Sequence, residues 1–198
     1  MKLSNRIEAL PYSAIRKLTP YADKAKKAGK KIYHLNIGAP DVKTPDLFLD
    51  AIKNLDLDVL TYAPSKGLPE LIEATSKYYK SWGMDFDPED IVVTTGGSEA
   101  LLFAILAITD EGDEILTCEP FYANYNSFSY ETGIKMNSFS SSVQDGFHLP
   151  NKEAIEKAIT PKTKAILLSN PCNPTGTVYN KEELRMVADI AKAHDLFI

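Results

Sequence analysis

The sequence predicts an α/β protein, a three-layer sandwich in which a mostly parallel sheet lies between two layers of helices. From Ile91 onward, short apolar or β-branched runs alternate with segments of helical periodicity, which is typical of βαβ units. Two loops rich in glycine or proline follow predicted strands, where open α/β sheets bind their ligands. With 198 residues and 44% hydrophobic content, the chain is long enough to bury a core.

The first βαβ unit is predicted between Ile91 and Cys118. Its opening strand is Ile91–Thr95, a β-branched run, and a helix begins after Gly96-Gly97 and continues through Thr109 with apolar residues on one broad face. The turn 111–113 then leads into a strand at Glu114–Cys118.

The same alternation continues to the end of the chain. Asn151 and Asn180 are predicted N-caps, because a short side-chain oxygen can accept an N–H of the first helical turn. The remaining elements are a helix after Pro120, strands at 134–139 and 165–169, a helix at 151–159 and a helix after Asn180. A last strand starts at Leu196, and because a buried parallel strand needs neighbours, we expect the sequence to be a piece of a longer protein.

The first ninety residues lack the regular alternation of strands and helices seen later in the chain. Helical patterns are predicted at Tyr21–Lys31 and Pro69–Trp82, with a short apolar strand at Ile32–Ile37. The segment 38–45 contains two prolines and is predicted to be a loop.

Composition limits the function classes. The net charge of −5 comes from charges spread along the chain, which argues against a nucleic-acid or membrane partner. Neither a signal peptide nor a run of about 18 apolar residues is present, so a cytoplasmic location is expected. Cys118 and Cys172 lack metal-ligand spacing and are expected to be reduced thiols; no metal site is predicted.

Two segments favour ligand binding. Thr94–Ala100 places two glycines and Ser98 at a strand-to-helix junction, where free N–H groups can bind an anion; a tight turn with Ser98 as N-cap explains it equally well. Ser169–Gly176 contains two Asn-Pro pairs after a strand, which favours a rigid loop aiming Asn173 inward over a plain loop. Tyr122 follows another strand end, where core packing is the simpler interpretation of a tyrosine.

Five motifs, taken in order, resemble those of the class I aminotransferases of fold type I, which are enzymes that use pyridoxal 5′-phosphate (PLP). The resemblance is to the aspartate aminotransferase-like subgroup and covers only the N-terminal portion of these enzymes. The motifs are LNIGAPD, TYAPSKG, VTTGGSEAL, DEGDEILTCEPFYANY and TKAILLSNPCNPTGTVY. This resemblance implies that residues 46–198 form an incomplete PLP-transferase large domain, preceded by an arm and small-domain segment at 1–45. It also implies a homodimer.

The resemblance implies a role for particular residues. Asn173 would hydrogen-bond the ring hydroxyl of PLP and also line the substrate site, while Tyr122 would stack on the pyridine ring. Gly38 would approach the substrate carboxylate, and Tyr62 would reach the phosphate held by the neighbouring subunit. The phosphate contacts would come from Gly97, Ser98 and Glu99.

The intact protein is therefore expected to move an amino group between an amino acid, with aspartate as the first candidate, and a 2-oxo acid. No catalytic residue is expected within these residues, because the family's Schiff-base lysine, its pyridine-nitrogen aspartate and its arginines fall later in the chain. Lys66 is interpreted as a surface lysine. Two alternatives stay open: a carbon–sulfur lyase or related enzyme on the same fold, and a non-catalytic truncated paralogue acting as an interaction module.

Overall fold

A computed structural model describes residues 2–13, 16–36 and 38–198 of the protein. The chain forms two compact units, one made of residues 1–21 with 101–198 and the other of residues 22–100. The domains expected at 1–45 and 46–198 divide the chain differently, and that division stays a prediction.

A parallel sheet forms the centre of the larger unit. Its strands are β1 (Glu114–Glu119), β2 (Lys135–Ser140) and β3 (Thr163–Leu167), and β1 lies between the other two. Both pairings are parallel. Phe197 forms a parallel bridge to Ala165, which adds the beginning of a further strand beside β3. The predicted parallel sheet is confirmed.

The helices have the following bounds, in chain order. They are α1 (Asn5–Ala9), α2 (Thr19–Lys27), α3 (Asp46–Lys53), α4 (Pro69–Ser81), α5 (Gly97–Ile108), α6 (Asn124–Thr132), α7 (Lys152–Lys157) and α8 (Lys181–Ala193). None of the helices in the described part of the chain is long and apolar enough to cross a membrane.

Alternate residues of β1 face two separate hydrophobic cores. Leu116 belongs to the core shared with α7 and α8, whereas Ile115 belongs to the core shared with α5 and α6. This alternation follows from the two-residue period of a strand. Helices therefore cover both faces of the sheet, which confirms the predicted three layers. The first core contains Leu116, Cys118, Phe139, Ile155, Ile166, Val187, Ile190 and Ala191, and the second contains Ile105, Ile115, Tyr125, Phe128, Ile134 and Ala165.

Two predicted strands are absent. Ile91–Thr95 forms no strand, because among the described residues no strand lies beside it to form a ladder. Besides local turn bonds, a backbone hydrogen bond from Val93 N–H to Lys66 O at 2.8 Å holds the segment. The expected strand at 32–37 is likewise not formed over its described residues 32–36, which are mostly exposed, and Ile37 lies outside the described residues. An apolar run without a neighbouring strand cannot complete the hydrogen bonds of a sheet.

Both predicted helix caps are confirmed. The Asn151 side chain accepts the N–H of Ala154 at 3.0 Å. Asn180 and Glu183 form a capping box, in which each side chain accepts the other residue's N–H. Glu183 also accepts the N–H of Leu149 at 2.7 Å and lies 3.0 Å from Nδ1 of His148. One carboxylate thus fixes the start of α8 to the loop before α7.

The ionisation of Glu183 makes this junction pH-dependent. Burial opposes the charged form, but the N–H groups of Asn180 and Leu149, together with His148, outweigh it and lower the pKa below its ordinary value of 4.5. A lowered folded-state pKa adds stability that is complete above the unfolded pKa and is lost as the pH falls through the folded value.

Glu183→Gln is therefore expected to lower the free energy of unfolding by about 1–2 kcal/mol at pH 7, because the amide cannot replace a charged acceptor of several donors. Urea unfolding at several pH values measures the difference, which should shrink as the pH falls below 4.5. The exposed neighbour Glu182 supplies the matched control, Glu182→Gln, with an expected change under about 0.5 kcal/mol. A difference that is constant with pH would contradict the electrostatic origin.

Candidate functional site

The start of α5 is open and rich in donors. Gly96 has a positive φ of 79°, and a Cβ added at Gly96 or Gly97 would meet no atom within 4 Å. The Thr94 hydroxyl donates to the Gly96 carbonyl at 2.9 Å and holds the loop in place. The first N–H groups of a helix have no intrahelical acceptor, so those at Gly97 and Ser98 are available to a ligand. Ser98 is exposed and adds a hydroxyl.

Glu99 uses its carboxylate within the protein. The carboxylate folds back and accepts the N–H of Thr95 at 2.6 Å. Only the backbone N–H of Glu99 is therefore suited to an anion, while its negative charge lies against the preceding loop. The open space and the donors fit a phosphate group at this helix start, where the partial positive charge of the helix adds to them.

The segment Ser169–Gly176, called the Asn-Pro loop, follows β3 and is held by its own hydrogen bonds. The side-chain oxygen of Asn170 accepts the N–H of Tyr179 at 3.0 Å. Cys172 is buried; its N–H donates to Thr177 O, and its own carbonyl accepts the N–H of Gly176. Asn173 is exposed and has no side-chain hydrogen bond to another residue in the part of the chain described here. Both Asn-Pro peptide bonds are cis. The hydrogen bonds of Asn170 and Cys172 hold the loop, and the exposed Asn173 amide is accessible to a ligand.

A second loop, after β1, lies against the first. Cys172 Sγ is 3.9 Å from the Pro120 carbonyl oxygen, which joins the two loops at the carboxyl end of the sheet. Tyr122 is half-buried on this second loop, and its ring meets that of Tyr125 edge-on at 5.7 Å. Tyr122 therefore presents an aromatic ring at the same sheet edge as the Asn-Pro loop, where parallel sheets bind ligands.

The thiol of Cys118 and the phenols of Tyr125 and Tyr179 stay protonated at neutral pH. Burial raises the pKa of Cys118, of Tyr125 and, most strongly, of Tyr179. Groups held neutral in this way pack and donate hydrogen bonds but are not nucleophiles at neutral pH. Both cysteines are free, as expected.

Gly38, Tyr62 and Lys66 lie in the unit of residues 22–100, which also contains the glycines at the start of α5. Gly38 is exposed, and a Cβ there would meet no atom within 4 Å. Tyr62 is fully exposed. Lys66 is on the surface, with its Nζ 2.9 Å from the Glu89 carboxylate, in agreement with its interpretation as a surface lysine.

Asn124, which the sequence analysis did not single out, contacts the candidate site residue Tyr122. Its Nδ2 donates to the Tyr122 hydroxyl oxygen at 2.8 Å. A polar residue two positions after a candidate aromatic was visible in the sequence, but the pairing depends on the turn that begins α6.

Comparison with known proteins identifies the family. The sequence model of "Aminotransferase class I and II" matches residues 30–198. The chain belongs to this family. The chain is 34% identical to an aspartate aminotransferase of Geobacillus stearothermophilus, with 100% of the chain and 51% of that protein covered. It is 35% identical to the aspartate/prephenate aminotransferase of Thermus thermophilus, covering 99% of the chain and 51% of the relative.

The aminotransferase fold is also confirmed by a solved structure. A single mutant of Thermus thermophilus aspartate aminotransferase matches with a TM-score of 0.91 at 35% identity, over 99% of this chain and 52% of that one. The α/β aminotransferase fold inferred from the motifs is confirmed. The chain spans about half the length of the relatives it matches.

Proposed function

We propose that this chain supplies cofactor contacts of a PLP-dependent aminotransferase, which transfers an amino group between an amino acid and a 2-oxo acid. Membership of the aminotransferase family supports this proposal, together with relatives that are named aspartate aminotransferases. The observation that carries it is the open, donor-rich start of α5, which suits the phosphate of PLP.

Each predicted site residue has a role consistent with its surroundings. The N–H groups of Gly97, Ser98 and Glu99 hold the phosphate, and the Ser98 hydroxyl adds a donor. Tyr122 offers its ring face to the pyridine ring, and the exposed Asn173 amide donates to the ring hydroxyl oxygen. When bound, PLP acts as an electron sink for bonds at the α-carbon of the amino acid.

Substrate and partner contacts extend the proposal. Gly38, where a side chain would fill open space, lets a substrate carboxylate approach the backbone, with Asn173 as a second contact. The fully exposed Tyr62 reaches the phosphate bound by a second subunit, so the active protein is a homodimer. We place the lysine that binds PLP covalently outside these residues, and we propose aspartate as the amino donor and the cytoplasm as the location.

The lyase and interaction-module alternatives have less support, because the relatives on which the proposal rests are aminotransferases by name. A PLP lyase uses the same cofactor contacts, so the reaction that the intact protein catalyses decides between the transferase and the lyase. Amino transfer from aspartate to 2-oxoglutarate by the intact protein, with PLP added, supports the transferase. Release of a thiol product from a sulfur amino acid without amino transfer would favour the lyase.

The cofactor contacts are tested on this chain by titration with PLP, followed by absorbance and tyrosine fluorescence. Ser98→Ala is expected to weaken PLP binding roughly 10-fold, because it removes a hydrogen bond to a charged phosphate. Ser81→Ala is the matched control, since Ser81 is an exposed helix residue whose hydroxyl donates to the Tyr78 carbonyl. Equal affinities of the two variants would contradict the phosphate site at α5.

A further inference from the structure

The Tyr122 ring is held from two sides. Its edge-on contact with Tyr125 has an interplanar angle of 89°, and Tyr125 itself is buried and stacked on Phe121 at 6.0 Å. At the far end of the ring, Asn124 Nδ2 lies 2.8 Å from the phenol oxygen. A tyrosine ring otherwise rotates in a broad torsional well about its last bond, so these two contacts define its plane.

The Asn124 side chain is not used for capping. It is the first residue of α6, yet the cap position is Ala123 and makes no side-chain cap bond. Within the described residues, the bond to Tyr122 is the one hydrogen bond of the Asn124 side chain. The side chain of Asn124 thus serves the tyrosine and not the helix.

The direction of this hydrogen bond has a chemical consequence. An amide NH₂ can only donate, so the phenol oxygen of Tyr122 accepts. The hydroxyl hydrogen of Tyr122 therefore remains free for an acceptor oxygen of a ligand. A half-buried ring with a fixed plane and a free O–H suits an aromatic ligand that carries oxygen acceptors.

We infer that Asn124 is a positioning residue for the cofactor ring: it holds the Tyr122 ring in its stacking plane and leaves the phenol hydrogen free to donate to the ligand. This inference rests on the proposed function, because it takes Tyr122 as the stacking partner of PLP. Asn124 acts through Tyr122 and needs no contact with the cofactor.

A double-mutant cycle on PLP affinity tests this coupling. Asn124→Ala is expected to weaken PLP binding roughly 5-fold, because the ring loses its plane. In the Tyr122→Phe background the same substitution should have no further effect, since the phenol oxygen is already absent. Asn126→Ala, an exposed asparagine on the same helical turn, is the matched control and should leave the affinity unchanged. Equal weakening by Asn124→Ala in both backgrounds overturns the inference.

A second readout separates the inference from the proposed function. The side-chain NH₂ protons of Asn124 are followed by NMR in the wild type and in Tyr122→Phe. Slow exchange in the wild type that is lost in the variant supports the hydrogen bond, whereas identical signals overturn the inference even where PLP binds. A wild-type chain that binds no PLP contradicts the proposed function and removes the cofactor role of Asn124, while the NMR result still reports on the bond.

Discussion

Leu116→Ala is expected to lower the free energy of unfolding by about 2–5 kcal/mol, the range for a leucine deleted from a closed core. Leu116 has no exposed surface and lies at the middle of β1, paired with Asn137 on one side and Ile166 on the other. The cavity cannot collapse easily, because strands on both sides hold the backbone and two helices close the face above it.

Urea unfolding monitored by circular dichroism measures the loss. The control is Leu106→Ala, the same substitution on α5, where the side chain is 56% exposed and a change within about 0.5 kcal/mol is expected. Similar losses for the two variants would mean that β1 is not the centre of the core.

Gly67→Ala is expected to cost about 3 kcal/mol or more. The backbone at Gly67 has a φ of 113°, which side chains rarely adopt, and an added Cβ would lie 2.5 Å from Cγ2 and 2.6 Å from Cβ of Val93. Because the clash includes Val93 Cβ, which moves only with its backbone, the segment Ile91–Thr95 must shift. The substitution therefore also breaks the bond from Val93 N–H to Lys66 O.

Hydrogen exchange at the Val93 amide is the sensitive measurement for this variant, with loss of protection as the expected result. Gly83→Ala is the control, since Gly83 also has a positive φ, of 76°, but a Cβ there meets no atom within 4 Å. It should cost only the conformational penalty of about 1–2 kcal/mol and leave Val93 protected. Retained protection in Gly67→Ala would show that Val93 is held by other contacts.

The sheet was predictable because short strand-like runs alternate with helical segments along the chain, and the apolar residues Ile115, Leu116 and Cys118 of β1 are all buried. The β-branched run Ile91–Thr95 also predicts a strand, but no strand forms there, because pairing depends on a neighbouring strand that a local pattern does not reveal. Helix starts at Asn151 and Asn180 were predictable for a local reason, because each cap side chain accepts a backbone N–H only three residues further along the chain.

The candidate site was predictable where it depends on local sequence. Two glycines at the start of a helix fit an anion site and a tight turn equally well, and the structure has open space there. The folding back of the Glu99 carboxylate and the bond from Asn124 to Tyr122 were not predictable, because each depends on side-chain rotamers set by the surrounding turn.

The division of β1 residues between two cores has a consequence for how the family can diverge. Ile115 and Leu116 are adjacent in sequence but belong to different clusters of buried residues, since one faces α5 and α6 and the other faces α7 and α8. Substitutions on the two faces should show little epistasis. Substitutions on the α7–α8 side should therefore leave the packing of Tyr125, which meets the Tyr122 ring edge-on, unchanged.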